Sequence, residues 1–196
     1  MPGEAEKAVW RRRLAAARAA LPPARLAAAA ERVTGHVLER LTGASRVAAY
    51  VPIGTEPGSL DLLDRLRDGG TVVLLPVLRP NYVLSWASYT TPDALIAGPW
   101  GLRQPPADAA EPARLDVVDA ILVPALAVDW RGNRLGRGAG YYDRALAGVS
   151  AAVPVAALLH DGELVPDLPT DPWDRPVTSA VTPAEGWTNL PAYRTI

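Results

Sequence analysis

The chain has 196 residues and a mass of 20.8 kDa, which is enough for one sizeable domain with a single hydrophobic core. Its formal net charge of −1 gives no general attraction to nucleic acid or to membrane surfaces. The absence of cysteine excludes disulfides, thiolate metal sites and thiol nucleophiles, and only two histidines argue against a metal site built from several imidazoles.

Two helices are the first predicted elements, between Glu4 and Leu41. The stretch is rich in Ala and Arg, and its break at Leu21-Pro22-Pro23 predicts the end of one helix and the first turn of the next, as an antiparallel pair. Lys7 and Arg11 are four residues apart and share one face of the first helix. On spacing alone, a solvated basic face is the better interpretation of this pair.

The first buried strand is predicted at residues 46–51, RVAAYV, followed by a loop that contains Glu56. Ser59 is expected to cap a helix from Leu60 to Arg67. In open α/β sheets, ligands bind outside the carboxyl ends of the strands. Glu56 therefore lies where a site residue is expected, although a loop glutamate is more often simply exposed.

Two β-rich stretches come next. Residues 71–77 predict a strand that ends at Pro76, and residues 82–88 predict an antiparallel or edge strand. Residues 92–112 predict an irregular excursion over the sheet. Within it, Trp100 is either a core residue or an aromatic wall for a flat heterocycle.

The most informative stretch runs from Ile121 to Ala147. It begins as an apolar, strand-like run and ends in a helix-like segment that starts at Tyr141. Glycine lets a ligand approach the main chain, successive amides bind anions, and guanidinium groups match phosphate oxygens. The stretch therefore predicts a phosphate-binding loop; the alternative is a surface loop with solvated arginines. Neither the Walker motif nor the dinucleotide motif fits it. The relevant residues are Gly132, Gly136, Gly138 and Gly140 among Arg131, Arg134, Arg137 and Arg144.

The C-terminal third predicts a further buried strand at residues 153–159, an acidic, Pro-rich surface loop at 167–176 and a short strand at 177–181. Alternation of strands and helices is typical of a mainly parallel sheet with helices on both faces. We therefore expect an α/β fold: a single three-layer domain over residues 1–196, preceded by an N-terminal helical pair.

The stretch PALAVDWRGNRLGRGAGYYDRAL resembles the signature of the 5-formyltetrahydrofolate cyclo-ligases, also called methenyltetrahydrofolate synthetases. In that family a Pro-x-x-x-x-Asp segment leads into Gly-x-Arg-Leu-Gly-x-Gly-x-Gly-Tyr-Tyr-Asp. The match is nearly unbroken over more than twenty residues.

The resemblance implies that the loop binds the phosphates of ATP. Lys7 and Arg11 match a Lys-x-x-x-Arg pair that contacts the nucleotide phosphates in the family. Asp143 matches the Asp that holds Mg²⁺ there, although an acid in the first turn of a helix is also favoured by the helix dipole. Asp129 is expected to position a loop arginine or to support the metal from outside its coordination sphere. The implied nucleotide contacts in the loop are Gly132, Arg134, Leu135, Gly136, Arg137, Gly138, Ala139, Gly140, Tyr141 and Asp143.

The resemblance also implies a folate site. Glu56 matches a glutamate that binds folate, and Trp100, Tyr141 and Tyr142 are expected to contact the substrate. One of the two tyrosines is expected in the core, because neighbours on a helix point in different directions. The residues expected to act in catalysis, by sharing the developing charge or facing a ring, are Arg134, Arg137 and Tyr142.

Two positions depart from the family pattern. Gly101 to Pro105 resembles a Gly-Ile-x-Glu-Pro segment, with Gln104 in place of the acid. Near the C-terminus, Asp174 matches the first of two acids and Thr178 stands where the second would fall. A threonine hydroxyl is a weaker ligand for Mg²⁺, so weaker metal coordination or reduced activity is expected.

The implied activity is the ATP- and Mg²⁺-dependent cyclisation of 5-formyltetrahydrofolate to 5,10-methenyltetrahydrofolate, with release of ADP and phosphate. The expected partners are a reduced folate and ATP, without nucleic acid or membrane, in a monomer or weak homodimer. Because no apolar run is long enough to span a membrane and no secretory apolar region is present, a cytoplasmic location is expected. The alternatives are a paralogue that acts on another substrate and a non-catalytic protein that binds nucleotide or folate.

Overall fold

The computed structural model describes residues 2–109 and 115–191. The helices in these ranges are α1 (Pro2–Ala19), α2 (Pro23–Arg40), α3 (Leu60–Asp68) and α4 (Tyr141–Leu146). The strands in these ranges are β1 (Arg46–Ala48), β2 (Val72–Arg79), β3 (Val83–Ser88), β4 (Ile96–Ala97), β5 (Arg103–Gln104), β6 (Ala120–Pro124), β7 (Ala127–Asp129), β8 (Arg134–Leu135), β9 (Val155–Leu158), β10 (Leu164–Val165), β11 (Ser179–Thr182) and β12 (Gly186–Asn189). Residues 110–112 of the predicted excursion and residues 192–196 of the tail lie outside the described ranges.

A seven-stranded sheet forms the centre of the described chain, in the order β12-β11-β9-β6-β1-β2-β3. The five inner strands run parallel, and β3 and β12 pair antiparallel at the two edges. The predicted mainly parallel sheet is thus confirmed, as is the antiparallel edge strand near residues 82–88. No helix in the described ranges is long and apolar enough to cross a bilayer.

Both faces of this sheet are covered. On β6, Leu122 belongs to the buried cluster that contains α2 and α3 residues, whereas its neighbours Ile121 and Val123 belong to the cluster that contains Leu146 of α4. Successive side chains of a strand point to opposite faces, so the two clusters lie on opposite sides of the sheet. This arrangement confirms the predicted three-layer fold. Ser59 caps α3 as predicted, because its hydroxyl accepts a hydrogen bond from the Leu62 amide at 3.1 Å.

The N-terminal helical pair is confirmed, and its two members pack on different parts of the fold. While α2 packs on the central sheet, α1 contributes Leu14 to a third cluster with Leu126, Leu135 and Leu168. That cluster adjoins a small sheet in the order β10-β7-β8, which the sequence patterns do not predict.

A buried ion pair fixes the end of α1. The guanidinium of Arg18 donates to both carboxylate oxygens of Glu163, at 2.6 and 2.7 Å, and to the Ala125 carbonyl at 2.7 Å. Their side chains are 3% and 8% exposed. The pair holds α1 in a fixed position beside the sheet, and α1 in turn positions Lys7 and Arg11.

Pro76 lies inside β2, so the prediction that the strand ends there is wrong. Pairing with β3 continues across this position, where Pro76 lies opposite Trp86. Alternate residues of β2 face the same neighbour, and the Leu74 carbonyl accepts a hydrogen bond from the Ala49 amide on the β1 side. Pro76 therefore turns its nitrogen, which carries no hydrogen, toward the β1 side at a point beyond the end of β1. No hydrogen bond is lost there, and the hydrogen bonds between β2 and β3 are kept.

Candidate active site

A cavity of about 810 Å³ opens at the carboxyl ends of the parallel strands. Its walls come from α1, the loop after β1, the β2–β3 hairpin, the loop before α4 and residues 171–175. The position agrees with the general rule for open α/β sheets. The predicted site residues that line it are Lys7, Arg11, Glu56, Trp100, Arg134, Leu135, Gly136, Arg137, Gly138, Ala139, Gly140, Tyr141, Tyr142 and Asp143.

The loop before α4 lies against α1. Arg11 donates from Nε to the Gly136 carbonyl at 3.0 Å and from Nη1 to Glu4 at 2.6 Å. Gly138 has φ +103°, and a Cβ there would come within 3.2 Å of the Arg11 guanidinium carbon. Glycine at this position therefore allows the arginine and the main chain of the loop to lie in contact.

Lys7 is buried between two carboxylates. Its Nζ lies 2.6 Å from Asp171 and 2.5 Å from Asp174, and the residue is 5% exposed. Burial alone would lower the pKa of Lys7, but hydrogen bonds and charge attraction from the two aspartates outweigh it and raise the pKa above its ordinary value. The ammonium therefore stays charged and ties residues 171–174 to α1.

Arg134 orients Asp143. The arginine side chain is 4% exposed and donates from Nη2 to Asp143 Oδ1 at 2.9 Å, and the Arg175 amide donates to the same oxygen at 3.1 Å. Within the described ranges, Asp143 Oδ2 accepts no hydrogen bond, and the buried Nε of Arg134 has no partner. One carboxylate oxygen is therefore left to face a ligand.

Asp129 holds the main chain of the loop. It is fully buried and accepts hydrogen bonds from the amides of Arg131 and Asn133, each at 2.9 Å, and from the Asn133 side chain at 2.8 Å. Asp129 thus positions the turn before β8 through its amides. These hydrogen bonds go to the loop itself, and Asp129 does not line the cavity.

Glu56 and Arg137 form an ion pair across the cavity, with Oε1 and Nε 3.0 Å apart. The glutamate side chain is 7% exposed and also accepts the Ile53 amide at 3.1 Å, whereas the Arg137 side chain is 59% exposed. The carboxylate is therefore fixed while the guanidinium is accessible. Glu56, which is expected to bind the folate, and Arg137, which is expected to bind the phosphates of ATP, therefore lie side by side.

An aromatic cluster of Tyr82, Trp100 and Tyr141 forms one rim of the cavity. The Tyr141 ring centroid lies 5.5 Å from that of Tyr82 and 6.2 Å from that of Trp100. Tyr82 and Trp100 have φ angles of +58° and +56°, and Trp100 is 71% exposed. Such left-handed conformations cost non-glycine residues about 1 kcal/mol or more and persist mostly at functional sites. Trp100 is therefore not the core residue that one interpretation of the sequence favoured.

Tyr142 is the inner of the two tyrosines, as expected for neighbours on a helix. It packs against the buried cluster below the sheet, with the Arg134 guanidinium 5.8 Å from its ring centroid. Burial raises the pKa of its phenol, the charge of Glu56 adds to this, and Arg134 opposes it. Tyr142 therefore stays neutral and is available as a hydrogen-bond donor, not as a phenolate base.

The profile of the 5-formyltetrahydrofolate cyclo-ligase family matches residues 3–183. The chain belongs to that family. It is 46% identical to the 5-formyltetrahydrofolate cyclo-ligase of Mycolicibacterium smegmatis over 71% of this chain and 74% of that protein. To the cyclo-ligase of Escherichia coli it is 32% identical over 74% and 81% of the two chains.

A solved structure agrees with this membership. The 5,10-methenyltetrahydrofolate synthetase of Aquifex aeolicus superposes with a TM-score of 0.76 at 27% identity, over 97% of this chain and 95% of that one. The resemblance carried by the loop signature is thus confirmed at the level of both family and fold.

The cyclo-ligase pattern is broken at Thr178 without consequence for the cavity. The Thr178 hydroxyl accepts the Val155 amide at 2.9 Å and donates to the Val155 carbonyl at 3.2 Å. These residues lie at the amino ends of β11 and β9, opposite the edge where the cavity opens. Thr178 therefore replaces no metal ligand in the cavity, and the expected weakening of metal coordination has no basis in the structure.

Gln104 does line the cavity of this family member. It is 8% exposed, and its Oε1 accepts a hydrogen bond from the Leu78 amide at 3.1 Å. The Gln104 oxygen thus satisfies a main-chain donor of β2. A glutamate, the residue expected from the resemblance, could do the same, so the two side chains differ only in the second group, which is an NH₂ donor in Gln104 and an oxygen acceptor in glutamate.

Several lining residues carry no signal in the cyclo-ligase motif. They enter the cavity through tertiary packing: Tyr50 follows β1, and Asp171, Trp173 and Arg175 belong to the loop predicted as a surface loop at residues 167–176. The lining residues that the sequence did not single out include Tyr50, Asp171, Trp173 and Arg175, and Tyr82 joins the aromatic cluster beside them.

Gly132, one of the predicted nucleotide contacts, does not line the cavity of this family member. It has φ +89°, and a Cβ there would lie 2.4 Å from the Val177 carbonyl oxygen. The Val177 amide donates to the Gly132 carbonyl at 2.8 Å, so two main-chain segments meet here. Glycine is required by this close approach and by the backbone conformation.

Replacing Gly132 by alanine should lower the free energy of unfolding by about 3 kcal/mol, since positive φ and overpacking each cost about 1–3 kcal/mol. Urea denaturation measures the change. Gly148→Ala is the matched control, because nothing lies within 4 Å of a Cβ at Gly148. Equal stabilities of the two variants would contradict the structural role of Gly132.

Proposed function

We propose that this family member catalyses the ATP- and Mg²⁺-dependent cyclisation of 5-formyltetrahydrofolate to 5,10-methenyltetrahydrofolate, with release of ADP and phosphate. The observation that carries the proposal is the 3.0 Å pairing of Glu56 with Arg137 inside one cavity. A folate held at Glu56 and a triphosphate held at Arg137 would place their reacting groups next to each other.

The chemistry needs an activated oxygen. The formyl oxygen attacks the γ-phosphorus of ATP, the bond from that phosphorus to ADP breaks, and the formyl oxygen becomes a phosphate ester. N10 then attacks the formyl carbon and loses its proton, and the C–O bond breaks to release phosphate and leave the cyclic methenyl cation. Phosphoryl transfer of this kind needs positioning and charge neutralisation more than a nucleophilic side chain.

The residues of the cavity suit these needs. Arg11, Arg134 and Arg137 line the cavity together with the glycine-rich residues 136–140, and they can share the charge that develops on the γ-phosphate. Glu56 is a buried acceptor for the N–H groups of a reduced pterin. Neutral Tyr142 can donate a hydrogen bond to an oxygen of the reacting group.

Mg²⁺ fits the carboxylate that the site presents. The described residues contain no group of three or more His, Cys, Asp or Glu side chains that would hold a metal alone. Mg²⁺ commonly keeps several waters and binds through one or two carboxylates plus substrate phosphates. Asp143, oriented by Arg134 and with one oxygen left over, would hold it, and the ion would neutralise charge on the phosphate oxygens.

Replacing Asp143 by asparagine should raise the Mg²⁺ concentration needed for half-maximal rate by about 30-fold, because a neutral amide oxygen is a weaker ligand. The rate of methenyl formation against Mg²⁺ concentration measures this. Asp167→Asn is the control, since Asp167 pairs with Arg131 at 2.9 Å and does not line the cavity. An unchanged Mg²⁺ dependence in Asp143→Asn would remove Asp143 from the metal site.

One assay tests the proposed reaction. Protein, MgATP and 5-formyltetrahydrofolate are mixed, and the absorbance of the methenyl product is followed together with ADP release. The proposal predicts both products in equal amounts. ADP without the methenyl product would indicate another acceptor, and binding of either ligand without turnover would indicate a binding protein.

A further inference from the structure

Exposed aromatic side chains occur in two parts of the cavity wall. One is the aromatic cluster of Tyr82, Trp100 and Tyr141, of which Trp100 and Tyr141 line the cavity. The other is Trp173, which lines the cavity and precedes Asp174, whose carboxylate holds Lys7 on α1. Arg11 lies one helical turn beyond Lys7, about 6 Å along α1, and contacts the loop at Gly136.

The indole of Trp173 is presented by an anchored segment. Trp173 is 57% exposed, although burial of an indole would normally stabilise a protein. Its neighbours are fixed: Asp171 and Asp174 bind Lys7, the Asp171 amide donates to Asp174 at 2.8 Å, and the Arg175 amide donates to Asp143 at 3.1 Å. The main-chain segment that carries the exposed ring is therefore held in place against α1 and Asp143.

We infer that Trp173 forms the base subsite of the cavity and stacks on the adenine ring of ATP, an inference that rests on the proposed function. With its terminal phosphates at Arg11, Arg137 and the loop, the nucleotide runs past Lys7 and brings its base to Trp173. The rings of the folate then belong to the rest of the cavity, which Glu56, Trp100 and Tyr141 line.

Stacking on an indole depends on the flat face of the base and little on its substituents. Trp173 is therefore a residue that raises the affinity for a purine nucleotide and leaves recognition of the phosphates to the basic residues. Inorganic tripolyphosphate carries the same phosphate chain without a base. Comparing the affinity for tripolyphosphate with the affinity for ATP therefore separates the contribution of the indole to binding from the contribution of its anchored neighbours.

The experiment measures the dissociation constants of MgATP and of magnesium tripolyphosphate by calorimetry. Trp173→Ala should weaken ATP binding about ten-fold, as expected for loss of one base–aromatic stack, and change tripolyphosphate binding by less than about two-fold. Trp173→Phe should keep most of the ATP affinity. The matched control is Trp130→Ala, since Trp130 is 45% exposed and does not line the cavity.

Three outcomes would overturn the base subsite: an unchanged ATP affinity in Trp173→Ala, an equal loss for ATP and tripolyphosphate, or the same loss in Trp130→Ala. If any of these outcomes is found while the unaltered protein still forms the methenyl product, the proposed function stands and only the base subsite is refuted. Conversely, a ten-fold effect on ATP without methenyl formation by the unaltered protein would support the subsite and refute the reaction. Absence of ATP binding in the unaltered protein would refute both.

Discussion

Replacing Arg137 by alanine should lower kcat/KM for ATP by about 1,000-fold, a loss typical of removing a cation from a developing phosphoryl charge. The same change should cost only about 1 kcal/mol of stability, or about 3 °C in Tm. The reason is that the Arg137 side chain is 59% exposed and its ion pair is with Glu56, which keeps its hydrogen bond to the Ile53 amide. Steady-state kinetics and thermal unfolding measure the two effects.

Arg131 provides a matched control for this prediction. It belongs to the same loop, its side chain is 61% exposed, and it pairs with Asp167 at 2.9 Å without lining the cavity. Arg131→Ala should therefore keep both rate and stability. A normal rate in Arg137→Ala would remove Arg137 from the proposed reaction. An equal loss of rate in Arg131→Ala would show that lining the cavity is not what distinguishes Arg137.

Replacing Lys7 by methionine should lower the free energy of unfolding by about 3 kcal/mol. It should also weaken ATP binding by about 100-fold, as expected for loss of one charge-assisted contact with a phosphate. Removing one partner of a buried ion pair leaves the other charge uncompensated, which typically costs about 3–5 kcal/mol. Here Asp171 and Asp174, with side chains 11% and 19% exposed, would lose their cation. Urea denaturation and calorimetric titration with ATP measure the two losses.

The stabilisation by Lys7 has a defined pH range. Because the folded-state pKa of Lys7 is raised above its ordinary value of 10.5, the contribution is complete below about pH 10. It is lost as the pH rises through the folded-state pKa. The difference in stability between the unaltered protein and Lys7→Met should therefore be constant at neutral pH and shrink only in strong alkali.

A triple variant separates the structural role of Lys7 from its role at the nucleotide. Combining Lys7→Met with Asp171→Asn and Asp174→Asn removes the whole group of charges, so no buried charge is left without a partner. Stability should recover to within about 1 kcal/mol of the unaltered protein, whereas ATP affinity should stay low. Recovery of ATP affinity would mean that Lys7 serves only to hold the loop.

What the sequence predicts well is local. The stretch from Ile121 to Ala147 specifies a strand, a loop and a helix through residues that are adjacent in the chain, and the structure has β6 and α4 there. The prediction that Ser59 caps α3 is also local, because a capping side chain binds an amide only two or three residues further along the chain.

What the sequence fails to predict depends on distant neighbours. Whether Pro76 ends a strand is decided by where β1 stops, and the roles of Gly132 and Thr178 are decided by Val177 and Val155. The strands of the small sheet have two or three residues each, too few for a recognisable period.

Some features of the cavity follow from residues that are close in sequence, and others depend on residues that are far apart. The loop signature identifies Arg134, Arg137 and Asp143 without coordinates. The contacts of Lys7 with Asp171, and the place of Trp173 beside them, arise only when residues more than 160 positions apart are brought together, as the separation of 164 between Lys7 and Asp171 shows. The motif therefore predicts residues that line the cavity, whereas their contacts with distant residues depend on the fold.

The most direct measurement is a crystal structure with a non-hydrolysable ATP analogue, Mg²⁺ and 5-formyltetrahydrofolate bound together. The expected result is a triphosphate between Arg11, Arg137 and the main chain of residues 134–140, with the formyl oxygen facing the γ-phosphate beside Glu56. A nucleotide bound outside this cavity, with residues 134–140 turned away from both ligands, would contradict the proposed site.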